Sequence, residues 1–306
     1  MGIKSSIRAR WIIATALLLL LFRPALTIGT IDDRDAELLE TGRAVKLQTP
    51  PPAPASIKIV SYNIRYRSGE DLRKLIELLK SDAEIGRAAI IGLQEVDRNR
   101  KRTGNVNTAR LMAEELGMYY AWAAPPPPPS KGNRVQEEET GVAILSPYPL
   151  ADVKRFVLPN EGPGGRRRAA IGATVKTGAG DVRVYSIHAE LRTSNQERLQ
   201  QLRAALDDLN EHHAGIERAV VLGDFNTLTG KDVDKTSELF TSAKFSTPFN
   251  NAASTWKTFI IELKLDWLWL RNLRPTNHGI DKKIGLSDHW PLWVTVALRD
   301  EHEAKK

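Results

Sequence analysis

An aspartate and a histidine stand side by side at Asp288-His289, inside the stretch Leu286-Ser287-Asp288-His289-Trp290-Pro291. A carboxylate beside an imidazole on one loop can hold a hard metal ion and move a proton. Alone the pair says little, because a solvated loop explains it equally well. Its weight comes from candidate partners of matching type: Asn63, Glu95, His188, Asp224, Asn226 and Asp266. Each has a plainer reading. Asn63 suits an ordinary turn, and Glu95 opens the polar run Asp97-Arg98-Asn99-Arg100. His188 alternates with Val182 and Val184 as a core histidine would. Asp224 and Asn226, flanking Phe225, can each bond nearby backbone. Asp266 is harder to set aside. It lies in an apolar strand, a buried carboxylate needs a partner, and His289 is the obvious one. His212 and His213 end a helix, where a cation suits the dipole, and are read as structural. His278 and His302 are left unassigned.

These residues need elements to carry them. Alternation of apolar and polar positions predicts a strand over Ile57 to Tyr62, ending at Asn63. The wholly apolar run Ala88 to Leu93 predicts a buried strand ending at Gln94-Glu95. Further strands are expected at Gly141 to Leu145, Val153 to Leu158, Ala169 to Val175, Val182 to Ile187, Ala219 to Leu222, Leu265 to Leu270 and Leu292 to Val296. Helices are expected over Asp71 to Leu79, over Thr108 to Leu116 before Gly117, and behind the capping box Ser194-Asn195-Gln196-Glu197. Asn63, Glu95, His188 and Asp224/Asn226 thus each close a strand, and Asp288-His289 precedes the last one. Open α/β sheets place ligands outside the carboxyl ends of their strands.

The chain has 306 residues and 42% apolar content, enough for one large α/β domain or two smaller ones. It has no cysteine, which excludes disulfides, a thiolate nucleophile and a cysteine-ligated zinc. Residues 1–30 read as a signal peptide or N-terminal anchor, with Lys4, Arg8 and Arg10 ahead of the apolar run Trp11 to Phe22. Those basic residues and Arg23 carry four of the +7 net charges, leaving a mild +3 for the remainder. Residues 31–55, with Pro50-Pro51-Pro52-Ala53-Pro54, read as a linker. Pro125 to Pro129 begins a long exposed loop. Residues 299–306 read as a charged tail.

The motifs Ser61-Tyr62-Asn63-Ile64, Leu93-Gln94-Glu95-Val96, Gly141 to Ser146, Ser186-Ile187-His188, Gly223-Asp224-Phe225-Asn226, Leu265-Asp266-Trp267 and Ser287 to Pro291 stand in order. Together they resemble the endonuclease/exonuclease/phosphatase superfamily over residues 56–298. The resemblance implies a four-layer αββα sandwich of the α/β (α+β) class, with two mostly antiparallel sheets face to face and helices outside. It implies divalent-metal-dependent cleavage of phosphate esters, usually with Mg²⁺ (Mn²⁺ or Ca²⁺ as alternatives). Glu95, with Asn63 and Asp288, then corresponds to the metal ligands, and Asp224 to the residue that orients or deprotonates the attacking water. Asn226 corresponds to a donor to the phosphoryl oxygens. His289 corresponds to the phosphate contact or base, and Asp266 to the carboxylate fixing its tautomer. His188 matches deoxyribonuclease I, sphingomyelinases and deadenylases, where abasic-site endonucleases carry tyrosine. The absence of cysteine departs from deoxyribonuclease I.

The expectation is therefore an exported phosphodiesterase, secreted, periplasmic or membrane-anchored, and monomeric. A sphingomyelinase-type phospholipase C and a non-catalytic binding module are the alternatives. The Arg166-Arg167-Arg168 turn tips the substrate expectation slightly toward nucleic acid, though a solvated turn explains it as well. Lipid hydrolysis would call for an exposed apolar loop, for which Trp122 and Trp256 are the sequence candidates.

Overall fold

The computed structural model describes residues 37–46, 49–127 and 139–298. The expectations for residues 1–30, for residues 128–138 of the proline loop, for the tail 299–306 and for His302 lie outside them. All described residues belong to one compact unit that begins at Glu37.

The first sheet holds β1 (Leu39–Arg43), β2 (Ser56–Asn63), β3 (Ile90–Arg98), β4 (Tyr119–Ala123), β5 (Glu139–Ser146), β13 (Arg274–Ile280) and β14 (Leu292–Ala297). Their order is β1-β4-β5-β3-β2-β14-β13. The second holds β6 (Leu150–Val157), β7 (Ala169–Lys176), β8 (Asp181–His188), β9 (Arg218–Asp224) and β12 (Asp266–Arg271), ordered β12-β9-β8-β7-β6. A small hairpin, β10 (Trp256–Lys257) and β11 (Glu262–Leu263), stands apart. Within the two sheets β2–β3 and β8–β9 are parallel and the other described pairings are antiparallel.

Side-chain alternation builds the layers. In β2, Ile57 and Ile59 face the other sheet while Val60 and Tyr62 face outward. In β12, Leu268 and Leu270 point inward, Trp267 and Trp269 outward. The inward sets meet in one core between the sheets. Outside the first sheet, α1 (Gly69–Ser81) buries Leu72, Leu75, Ile76 and Leu79, and α2 (Thr108–Leu116) adds Ala109 and Met112. Outside the second, α3 (Asn195–His212) starts at the Ser194/Glu197 capping box and buries Leu202, Leu206 and Leu209. Beside it α4 (Gly230–Ser242), opened by a second capping box at Thr229/Asp232, buries Phe240. The four-layer αββα sandwich is thus present.

One boundary moves. Residues 31–55 are expected to be linker, yet Leu39–Arg43 pairs antiparallel with Tyr119–Ala123 along the sheet edge. Leu38 is buried in the outer core. Glu40 accepts hydrogen bonds from Tyr120 Oη (2.7 Å) and Arg110 Nε (2.8 Å) and pairs with Arg98 at 3.4 Å. A chain begun at Ser56 would uncover β4 and strand these partners. It should melt below one begun at Glu37, losing about 2–4 kcal/mol. Matched thermal melts check this, and equal midpoints would show the edge strand to be dispensable.

Candidate active site

Both sheets deliver polar side chains to one place. From the second, β9 ends on Asp224, and the register sets His188 of β8 on one side of it and Asp266 of β12 on the other. Gly223 makes this approach possible. Its φ is +134°, and a Cβ there would lie 2.0 Å from the Ile187 carbonyl oxygen. Beyond the strand, Phe225 turns into the outer core and stacks on Phe240 and Trp267, with centroids 5.6 and 6.4 Å away. Asp224 and Asn226 therefore face the opposite way. From the first sheet, Asn63 at the end of β2 reaches across, and its Nδ2 donates to Asp224 Oδ2 at 3.0 Å. Deeper in, Gln94 Nε2 donates to Ser186 Oγ at 3.0 Å, a second polar tie between the sheets.

The loop before β14 brings the last member. His289 Nδ1 donates to Asp266 Oδ2 at 2.8 Å, and its Nε2 lies 3.8 Å from Asp224 Oδ2. All three are buried. Asp266 is held by its own N–H, which donates to Thr255 Oγ1 at 2.9 Å. Burial alone would lower the pKa of His289, but the charges of Asp266 and Asp224 raise it to about 9. Asp224 is pushed up to about 7, chiefly by burial, with Asp266 adding to the rise and His289 opposing it.

His188 takes the remaining side. Its Nδ1 accepts from Arg168 Nη1 at 3.4 Å, which leaves Nε2–H directed at Asp224 Oδ2, 3.5 Å away. Burial, then the charges of Arg168, His289 and Arg166, hold its pKa well below 6.5. The native state therefore stays neutral at this residue where the unfolded chain takes up a proton. Stability from this group is complete above about pH 6.5 and falls as the pH drops, by at most about 1.4 kcal/mol per unit. Asp224, with its raised pKa, acts in the opposite direction over the same range. The His188 contribution should accordingly appear as a shallower acid decline of stability in His188→Gln than in the parent, measured by urea unfolding from pH 7.5 to 5. Parallel curves would contradict it.

Glu95 differs from its expected place. Strand β3 does not end at Gln94-Glu95 but continues to Arg98, with a bulge between Gln94 and Val96. Glu95 adopts φ +55°, in the left-handed region, and the bulge turns its side chain out of the ladder. Its carboxylate has no hydrogen-bond or ion-pair partner among the described residues. It lines a basic cavity of about 510 Å³ with Arg100, Arg102, Arg166 and Arg168. Asp288 pairs with Arg65, whose Nη1 sits 3.1 Å from Asp288 Oδ2. The pKa of Arg65 is raised first by a hydrogen bond to Tyr66, then by the charge of Asp288 and, more weakly, by that of Glu95.

Two sets could receive a cation. One atom from each of Asp224, Asp266 and His289 lies within 4.8 Å of the others. An ion there would have to break the Asp266–His289 hydrogen bond and compete with the Asn63 amide for Asp224. The Glu95 carboxylate, the Asn63 amide oxygen and the Asp288 carboxylate are all hard oxygen donors. Asn63 Oδ1 accepts from the Arg65 N–H at 3.0 Å and retains a second lone pair. Asp288 in this second set is held by Arg65, but the Glu95 carboxylate, at a strained backbone position, has no hydrogen-bond or ion-pair partner among the described residues and is the donor most open to a cation.

Sequence reasoning missed Glu190, Thr255 and Arg65, and read Arg168 only as part of a basic turn. Glu190, fully buried, binds Arg166 and Arg168 together and accepts from the Arg192 N–H at 2.9 Å. The arginine turn is thereby committed to one internal carboxylate, with Arg167 on Glu161. Only the nearness of Glu190 to His188 in sequence could have suggested it. His212 and His213 approach Asp208, each at 3.5 Å, away from the site. His278 packs edge-on against Phe249.

Several solved structures share this architecture. An endonuclease/exonuclease/phosphatase from Beutenbergia cavernae DSM 12333 superposes with a TM-score of 0.63 at 18% identity, covering 80% of this chain and 72% of its own. ANGEL2, a 2',3'-cyclic phosphatase, gives 0.60 at 13%, covering 79% and 95%. D. rerio TDP2 complexed with a single-strand DNA product gives 0.59 at 16%, covering 79% and 99%. At these identities the likeness is one of fold. No curated protein sequence matches the chain. The model of the Endonuclease/Exonuclease/phosphatase family matches residues 60–289. That span holds every residue of the site, and the chain belongs to this family of hydrolases acting on phosphoester bonds.

Proposed function

We propose that the protein is an exported, divalent-metal-dependent phosphodiesterase. The observation that carries this is the buried Asp266–His289–Asp224 arrangement, together with a Glu95 carboxylate that has no hydrogen-bond or ion-pair partner among the described residues. Two carboxylates around one imidazole cost the fold stability, and a module that only binds has no use for them. A hard cation such as Mg²⁺ held by Glu95, Asn63 and Asp288 would offset the charge developing on a phosphoryl group. Asp224, with a pKa near 7, suits the base that orients and deprotonates water. His289, cationic at neutral pH, suits the partner of a phosphoryl or leaving oxygen, and Asp266 keeps its Nδ1 protonated so that Nε2 faces the substrate. Asn226 Nδ2 donates to the Ala189 carbonyl at 2.9 Å, leaving its second N–H for a phosphoryl oxygen. His188, neutral with Nε2–H forward, can donate to the same group. Export rests on the apolar run from Trp11 to Phe22. No described helix is long and apolar enough to cross a membrane.

The test compares bis-p-nitrophenyl phosphate with p-nitrophenyl phosphate, each with Mg²⁺, on the full chain. Turnover of the diester well above that of the monoester is expected. No turnover of either with Mg²⁺, Mn²⁺ or Ca²⁺ would favour the binding module.

A further inference from the structure

The β10–β11 hairpin breaks the usual chemistry of its own turn. Thr258 N–H donates to the Ile261 carbonyl at 2.9 Å, closing a two-residue loop. Such loops favour Asn, Asp and Gly, yet this one is Phe259-Ile260. Phe259 is 104% exposed, Ile260 91% and Ile261 48%. Three consecutive apolar side chains at a convex tip gain nothing from the fold of their own chain, and contiguous exposure of this kind marks an interaction site.

The tip is also wired to the candidate site. At its base, Trp256 bridges to His289, with rings 6.5 Å apart, and Lys257 N–H donates to the Asp288 carbonyl at 3.0 Å. A cavity of about 870 Å³ runs between them, lined by Arg65, Trp256, Phe259, Ile260 and Asp288. Above the tip's root, Lys257 and Lys282 both lie over the Trp290 ring, at 5.3 and 4.3 Å, Lys282 also pairing with Glu262 at 3.2 Å and Lys257 having no ion pair among the described residues.

We infer that this hairpin is a membrane-docking element that inserts Phe259 and Ile260 into a lipid interface and holds the site against headgroup phosphodiesters. Phe259 and Ile260 are almost wholly exposed at the end of the hairpin, placed to enter an acyl layer without unfolding it. An aromatic and a branched aliphatic side chain suit the acyl boundary, while the Trp256 indole and the Lys257 ammonium one step back suit the headgroup level. The arginine turn that would favour a nucleic-acid backbone is already paired with Glu190 and Glu161. The docking stands on the hairpin alone, whereas the substrate rests on the phosphodiesterase reading.

The chain has no cysteine, so Ile260→Cys in the full-length protein accepts a single environment-sensitive fluorophore. A label at Glu211→Cys, exposed on α3, serves as control. Asn210 beside it meets Arg271, at the end of β12 remote from Asp266. Phosphatidylcholine–phosphatidylglycerol vesicles should blue-shift and brighten the 260 label and leave the 211 label unchanged, whatever the N-terminal segment does. Phe259→Asp with Ile260→Asp should lower hydrolysis of vesicle phospholipid about tenfold or more, with soluble diester turnover unchanged. A 260 label silent toward vesicles would overturn the inference. So would one that responds instead to single-stranded DNA or RNA, or to raised protein concentration without lipid, which would mark a second copy as the occupant. Vesicle insertion with no turnover of any diester by the parent would leave the docking standing and remove the phosphodiesterase reading.

Discussion

Replacing Asp266 by Asn should lower diester turnover by about 10²–10⁴-fold while the melting temperature stays near that of the parent. The Asp266 carboxylate accepts from His289 Nδ1–H and holds the imidazole with Nε2 toward Asp224. An amide of the same shape can present its NH₂ instead and stabilise the opposite tautomer. Its charge disappears as well. His289 is raised to about 9 against the opposing pull of burial, and Asp266 is the strongest of the groups that raise it. Without that charge the pKa falls, and the imidazole loses its proton at a lower pH. The alkaline limb of the pH–rate profile should accordingly move toward acid in the variant, alongside the drop in kcat. Steady-state rates from pH 6 to 10, with thermal melts of both proteins, measure this. Parent-like activity at matched stability would remove Asp266 and His289 from the chemistry.

Glu95→Gln should raise the Mg²⁺ concentration needed for half-maximal rate by about 10–100-fold. Glutamine keeps the volume and one oxygen but removes the anionic charge a hard cation requires. Because Glu95 has no partner among the described residues and already sits in a strained bulge, the change should leave stability near the parent value. Titration calorimetry with Mn²⁺ gives an independent readout of affinity. Unchanged metal affinity would move the ion away from Glu95.

The parts of this molecule that the sequence makes legible are those governed by local pattern. Alternation in Ile57 to Tyr62 and the apolar run from Ala219 to Leu222 locate β2 and β9. The Ser194/Glu197 capping box locates α3. Because the site residues fall beside such strands, their convergence could be anticipated from order alone. What could not be read depends on distant partners. Leu39–Arg43 has no strand pattern of its own and is a strand only because Tyr119–Ala123 offers an edge. Strand β13, Arg274–Ile280, carries Pro275 and Gly279 and is held by pairing with β14. Helix α4 is announced only by Thr229/Asp232, because its apolar face is thin. The bulge at Glu95 arises from pairing with β5, so the residue reads as a strand end when the strand runs past it. Arg166 and Arg168 read as a free basic cluster because Glu190, the carboxylate that neutralises them, is some twenty residues away in sequence.

Two functions are proposed for the strand-end residues: an ion on the Glu95, Asn63 and Asp288 oxygens, and proton handling on Asp224, His289 and Asp266. Anomalous diffraction at the manganese edge from a crystal soaked in Mn²⁺ tests that division most directly. The account predicts a peak within bonding distance of the Glu95 carboxylate, with the Asp266–His289 hydrogen bond intact. A peak enclosed by Asp224, Asp266 and His289, with that hydrogen bond broken, would contradict it.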